Sequence, residues 1–108
     1  MNFKEYQNLA MISKSKEIEG KAQLANGVMG LNGEAGEVID LVKKHLFHGH
    51  DLDIEKIKLE LGDVLWYIAE CADALDLDLD DIAKANIAKL KARYPKGFSF
   101  ERSINRED

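Results

Sequence analysis

Apolar residues recur at every third or fourth position over most of the chain, the period of helices that bury one side. The two clearest stripes comprise Leu31, Ala35, Val38, Ile39, Val42 and Leu46, and then Ile57, Leu61, Val64, Leu65, Ile68 and Ala72. The pattern predicts helices over about residues 2–13, 22–47 and 54–75, with Asp53 capping the third, and a fourth from a cap at Asp80 or Asp81 to near Tyr94, ahead of Pro95. Short links between four helices predict an all-α fold, an antiparallel four-helix bundle or a close relative.

Glycines are frequent in the first half of the second helix, at Gly27, Gly30, Gly33 and Gly36. Each weakens a helix by roughly 1 kcal/mol relative to alanine, so we expect each to allow a close helix contact or a kink. The chain has no repeat, low-complexity tract or linker. We therefore expect one domain over residues 1–108, with a polar tail at about 97–108.

The third helix is apolar on a second side, where Leu59, Trp66 and Ala69 lie roughly opposite its main stripe. A helix that is apolar on two sides is buried on two sides. In so short a chain the second cover is most simply another subunit, related by two-fold symmetry. The alternative is that the first helix covers this side.

Charge and composition narrow the classes of function. The net charge of -5 argues against non-specific binding of a nucleic-acid polymer. The single cysteine, Cys71, has no partner within the chain, which fits a reducing compartment and a packing role. No signal peptide or membrane-spanning run is evident, so the sequence predicts a cytoplasmic protein without membrane association.

Two pairs of acids flank the apolar stripes of the central helices, Glu34 with Glu37 and Glu60 with Asp63. If these helices pack stripe to stripe, four carboxylates converge at one edge of the seam, where their repulsion favours a divalent cation. Iron–carboxylate bundles use Glu-x-x-His pairs, but here the matching position after Glu37 is Asp40. The pattern therefore favours Mg²⁺, or Mn²⁺, and phosphate chemistry. The alternative is that these acids are simply solvated.

Basic and polar residues offer a complementary set for phosphate. Asn86, Lys89 and Arg93 share one side of the fourth helix, which suits a triphosphate. Lys44 is an ambiguous addition, and Tyr67, one turn after Asp63, either stacks on a base or packs in the core. His45, His48 and His50 cluster near the end of the second helix, but no nearby cysteine completes a zinc site there.

Together these motifs resemble the MazG-like all-α nucleoside triphosphate pyrophosphohydrolases. The resemblance covers roughly residues 3–98 and is carried by Glu34-x2-Glu37, Glu60-x2-Asp63 and the segment Asn86-x2-Lys89-x3-Arg93-Tyr94-Pro95. It implies that Glu34, Glu37, Glu60 and Asp63 ligate Mg²⁺, that Lys89 and Arg93 hold phosphates, and that Asn86 and Tyr67 contact nucleotide. It also implies assembly as a dimer or a dimer of dimers. Tandem-domain members carry two copies of this unit, whereas this chain carries one.

Residues and resemblance together predict hydrolysis of a nucleoside triphosphate to monophosphate and pyrophosphate, with Glu37 or Glu34 helping to take the proton from water. The expected role of such an enzyme is house-cleaning, the removal of unwanted nucleoside triphosphates from the nucleotide pool. Two other hypotheses are a module that binds metal and nucleotide without turnover, and a purely structural helical oligomer.

Overall fold

The computed structural model describes residues 1–106, which form five helices. These are α1 (Phe3–Met11), α2 (Gly20–Phe47), α3 (Ile54–Ala74), α4 (Leu79–Arg93) and α5 (Phe100–Ile104). The predicted all-α class is confirmed, and the boundaries of the first three helices agree with the sequence pattern to within a few residues. The polar tail contains the unpredicted α5.

The helix ends follow local capping chemistry. Asp53 caps α3 as predicted, because its Oδ1 accepts the backbone N–H of Lys56 at 3.0 Å. The prediction of a cap at Asp80 or Asp81 was wrong. The N-cap of α4 is Asp78, and both later aspartates lie in its first turn, where negative charge is favourable to the helix dipole.

The central feature is an antiparallel pair formed by α2 and α3. The contacts run in opposite chain directions, from Gly27 against Cys71 to Gly30 against Tyr67. A buried polar link reinforces one end, where Asn26 Nδ2 donates to Oε1 of the buried Glu70 at 2.7 Å. The glycine side of α2 therefore faces α3.

The stripe-to-stripe packing, which was the condition for four converging carboxylates, is met only in part. Ile39 and Leu46 of the α2 stripe and Leu61 of the α3 stripe are exposed. The physical reason is that the glycines let the two backbones approach more closely on their own side than branched side chains would allow. Part of each stripe is therefore left beside the seam, although Ala72 of the α3 stripe is buried.

Helix α1 covers the second apolar side of α3, as the alternative interpretation held. The indole Nε1 of Trp66 donates to Ala10 O and to Ser13 Oγ, both at 2.9 Å, and Ala69 is fully buried. Leu59, near the start of α3, stays 68% exposed. Trp66 and Ala69 are therefore covered within the protomer and do not form a surface for contact with another subunit.

Helix α4 is attached mainly through its beginning. The side chain of Gln7 in α1 makes two hydrogen bonds to the backbone at the start of α4. Its Nε2 donates to Leu77 O at 3.0 Å, and its Oε1 accepts the N–H of Leu79 at 2.8 Å. Among the described residues, α4 packs on α1 and α3 and has no extended contact with α2. One protomer is thus an α2–α3 pair with α1 and α4 attached, more open than a closed four-helix bundle.

Candidate metal centre

Two glycines of α2 set the distance between the helices that carry the acids. A Cβ atom built on Gly30 would collide with the Tyr67 ring, and one on Gly27 would lie 2.6 Å from the Cys71 sulfur. Only hydrogen atoms fit at these two positions. Glu34 follows Gly30 by one turn, and Asp63 precedes Tyr67 by one turn, so this close approach brings their carboxylates together.

Three of the four predicted acids form one cluster. Carboxylate oxygens of Glu34, Glu60 and Asp63 all lie within 4.8 Å of one another. Glu34 and Glu60 are half-buried and Asp63 is exposed, so the cluster is open to solvent on one side. Glu37 is exposed one turn further along α2 and lies outside this group.

The cluster holds more negative charge than its surroundings neutralise. The pKa of Glu34 is raised to about 7, first by a hydrogen bond shared with Glu60, then by burial and by the charges of Glu60, Asp63 and Glu37. The Glu60 atom Oε2 is buried and accepts no hydrogen bond from a described residue when both carboxylates are ionised. The site therefore requires either a shared proton or a cation.

The donor set suits a hard divalent ion. All three side chains offer carboxylate oxygens, the ligands that Mg²⁺ and Mn²⁺ prefer, and the buried Glu60 Oε2 is an acceptor in need of a positive partner. Mg²⁺ typically takes only one or two carboxylates and completes its shell with waters and phosphate oxygens. The residues present fit such an ion.

Tyr6 of α1 is a neighbour of the cluster that the sequence did not reveal as a site residue. The pKa of its phenol is raised by burial and then by the negative charge of Asp63. In the sequence, Tyr6 is one apolar-stripe position of α1 among several. Its proximity to Asp63 depends on how α1 lies across α3, which periodicity does not encode.

Among the predicted nucleotide contacts, Tyr67 lies beside the acids. Its half-buried ring packs on Gly30 and stands edge-on to Trp66, with the ring centroids 5.1 Å apart. Lys44 is paired with Asp40 at 2.9 Å, and this hydrogen bond is the largest cause that raises the pKa of Lys44.

The predicted phosphate ligands of α4 lie elsewhere in the protomer. Lys89 and Arg93 line a cavity between α4 and the C-terminal segment, and none of the four predicted acids lines it. Asn86 is exposed on α4. The structure thus separates the acidic and basic halves of the predicted site.

The histidine cluster closes a turn. His45 Nδ1 lies 2.8 Å from His50 O, a hydrogen bond that the chain can make because Gly49 adopts a left-handed backbone with φ of 73°. Within residues 1–106, the acids Glu34, Glu60 and Asp63 form the one metal-ligand grouping found, and it includes no histidine. No described helix is both long and apolar enough to cross a membrane.

The described fold is all-α, and three carboxylates on α2 and α3 form a cluster whose oxygens lie close enough together to hold a metal ion. Residues 24–98 match the model of the MazG nucleotide pyrophosphohydrolase domain, so this chain belongs to the MazG family. It is also 39% identical over 84 residues to the Gene 37 protein of Mycobacterium phage L5, covering 74% of this chain and 71% of that protein. No solved structure matches the chain significantly.

Proposed function

We propose that this protein is a divalent-metal-dependent nucleoside triphosphate pyrophosphohydrolase. It would cleave the α–β phosphoanhydride and release a monophosphate and pyrophosphate. The observation that carries the proposal is the cluster of Glu34, Glu60 and Asp63, with its raised pKa and buried acceptor, in a chain of the MazG family.

Glu34, Glu60 and Asp63 would hold the ion, Mg²⁺ or Mn²⁺, which when bound supplies Lewis acidity and an acidic water. Glu37 is exposed next to the cluster, and either it or Glu34 would accept the proton of the attacking water. Tyr67 and Asn86 would contact the nucleoside. Lys89 and Arg93 would bind phosphate oxygens and offset the charge that develops on them, and Lys44 would add to that field.

The proposed reaction requires the acids and the basic residues to meet around one triphosphate. Within a protomer, the cavity of Lys89 and Arg93 is separate from the acids, and the second half of α4 is largely exposed. A second copy of the chain is the simplest means of bringing them together. We therefore include a homodimer, or a tetramer built from dimers, in the proposal.

Two properties of the protomer support this assembly. Its radius of gyration is 16.9 Å, whereas a compact chain of this length has about 13 Å. On each helix, the apolar stripe is rotated about 90° around the helix axis from the side that faces the other helix. Because α2 and α3 are antiparallel, both stripes lie on the same side of the helix pair. Ile39, Leu46 and Leu61 are 67%, 62% and 53% exposed on that side.

The experiment is a pyrophosphate-release assay with Mg²⁺ over a panel of ordinary, deoxy and damaged nucleoside triphosphates. Glu60→Gln should abolish release and weaken Mn²⁺ binding while the helical circular dichroism is retained. Glu55→Gln, also on α3, is the matched control, because Glu55 is highly exposed and only loosely paired with Lys58 at 3.9 Å. Binding of metal and nucleotide without any release would identify a non-catalytic binding module and refute the proposed reaction.

A further inference from the structure

The cavity between α4 and α5 concentrates positive charge in an acidic protein. It has a volume of about 880 Å³, within the range of small-molecule sites. Its lining comprises Lys89, Ala92, Arg93, Ser99, Glu101, Arg102, Asn105 and Arg106. Four cationic side chains thus share one space with a single carboxylate, although the whole chain has a net charge of -5.

The two walls of this cavity are held together by specific contacts. Ser99 Oγ accepts the N–H of Arg102 at 3.1 Å and so caps α5. Arg102 Nη1 in turn donates to Arg93 O, at the end of α4, at 3.4 Å. The Arg93 atom Nε is buried, which restricts its guanidinium. The positive groups are therefore presented by a folded scaffold.

Like charges gathered in this way repel one another, and an anion with several charges relieves the repulsion. Guanidinium groups bind phosphate oxygens in a bidentate way, so three arginines and a lysine suit a chain of phosphates better than a single carboxylate. The wall that carries Arg102 and Arg106 lies beyond residues 24–98, the part of the chain that matches the family. The family match therefore does not account for it.

We propose that Arg102 and Arg106 extend the phosphate site that the proposed function assigns to Lys89 and Arg93, and that these two arginines supply half of the positive charge of the α4–α5 cavity. The phosphates are those of the nucleoside triphosphate, so this inference rests on the proposed function.

The test measures binding of inorganic tripolyphosphate by calorimetry in the presence of a chelator, so that the acids cannot contribute through metal. The double variant Arg102→Gln/Arg106→Gln should bind at least about a hundredfold more weakly, because it removes two charge-assisted contacts at once. Lys91→Gln/Lys96→Gln is the control, since it removes the same charge from neighbouring positions that do not line the cavity.

Arg106→Gln alone guards against disruption of α5, because the contact that ties α5 to α4 comes from Arg102. Binding by both arginine variants at the strength of the lysine control would overturn the inference. We also expect both arginine variants to raise the KM for nucleotide hydrolysis, because the phosphates that they contact are those of the substrate. An unchanged KM in both variants would overturn the inference. A protein that binds tripolyphosphate but hydrolyses nothing would refute the proposed function and leave this site standing.

Discussion

Replacing Gly30 by alanine tests whether the close approach of α2 and α3 builds the metal centre. The added Cβ would overlap the ring of Tyr67, which is confined between α2 and the edge of Trp66. Overpacking of this kind costs typically 1–3 kcal/mol. The same substitution improves helix propensity by about 1 kcal/mol, which partly offsets the steric cost.

Gly33 provides the matched control, one turn further along the same helix. A Cβ there meets nothing within 4 Å, so Gly33→Ala should raise the free energy of unfolding by about 1 kcal/mol. Because both variants gain the same propensity, the difference between them isolates the steric term. We expect Gly30→Ala to be less stable than Gly33→Ala by about 1–3 kcal/mol.

The assay combines urea unfolding, at one fixed protein concentration, with Mn²⁺ titration. Glu34 lies one turn from Gly30, so forcing the helices apart should weaken metal affinity in Gly30→Ala and leave Gly33→Ala unchanged. If Gly30→Ala matches Gly33→Ala in both stability and Mn²⁺ affinity, the glycine contact does not position the acids and this reasoning is wrong.

Two further predictions concern pH and assembly. The pKa of Glu34 is raised to about 7 in the metal-free protein, above its ordinary 4.5, so between these pH values the folded state binds more protons than the unfolded state. As pH rises through this window, the free energy of unfolding of the metal-free protein should fall, and Mn²⁺ affinity should rise because binding releases a proton. Glu34→Gln should flatten both pH profiles, measured by unfolding and by calorimetry. Leu61→Glu should weaken self-association, measured by sedimentation equilibrium, because it places a charge on the exposed apolar side of α3. Lys58→Glu, on the same helix but outside the apolar stripe, is the control and should leave self-association unchanged. A wild-type protein that is monomeric would refute the proposed dimer or tetramer.

The sequence predicted the helices well because their signals are local. The periods of apolar residues, the cap at Asp53 and the stop before Pro95 each act within a few positions of the chain. The acids that meet were also among those predicted, although Glu37 of the first pair lies outside the cluster of Glu34, Glu60 and Asp63. The short α5 was missed because five residues carry no measurable period.

What the sequence did not determine is the side on which α2 meets α3. Apolar residues were expected at the seam, but Gly27 and Gly30 form it and Leu61 lies outside. The expectation of close contacts or kinks at glycines is satisfied at these two positions, while Gly33 and Gly36 face open space. Periodicity cannot rank a glycine side against an apolar side, because the choice depends on all the surfaces available, including those of other chains.

This choice of seam links the carboxylate cluster to the packing of the helices. The glycines allow α2 and α3 to close, and closure forces Glu34 against Glu60 and Asp63, whose repulsion opposes it. A cation that bound these carboxylates would bind the closed pair of helices better than an open one. It would then stabilise closure by the same free energy that closure contributes to the affinity for the cation. The buried Glu60 Oε2 belongs to this balance, because it lost solvent when the helices closed and gains a partner only when the charge of the cluster is neutralised. The α2–α3 contact and the carboxylate cluster therefore form one thermodynamic unit, and a substitution at either alters the other.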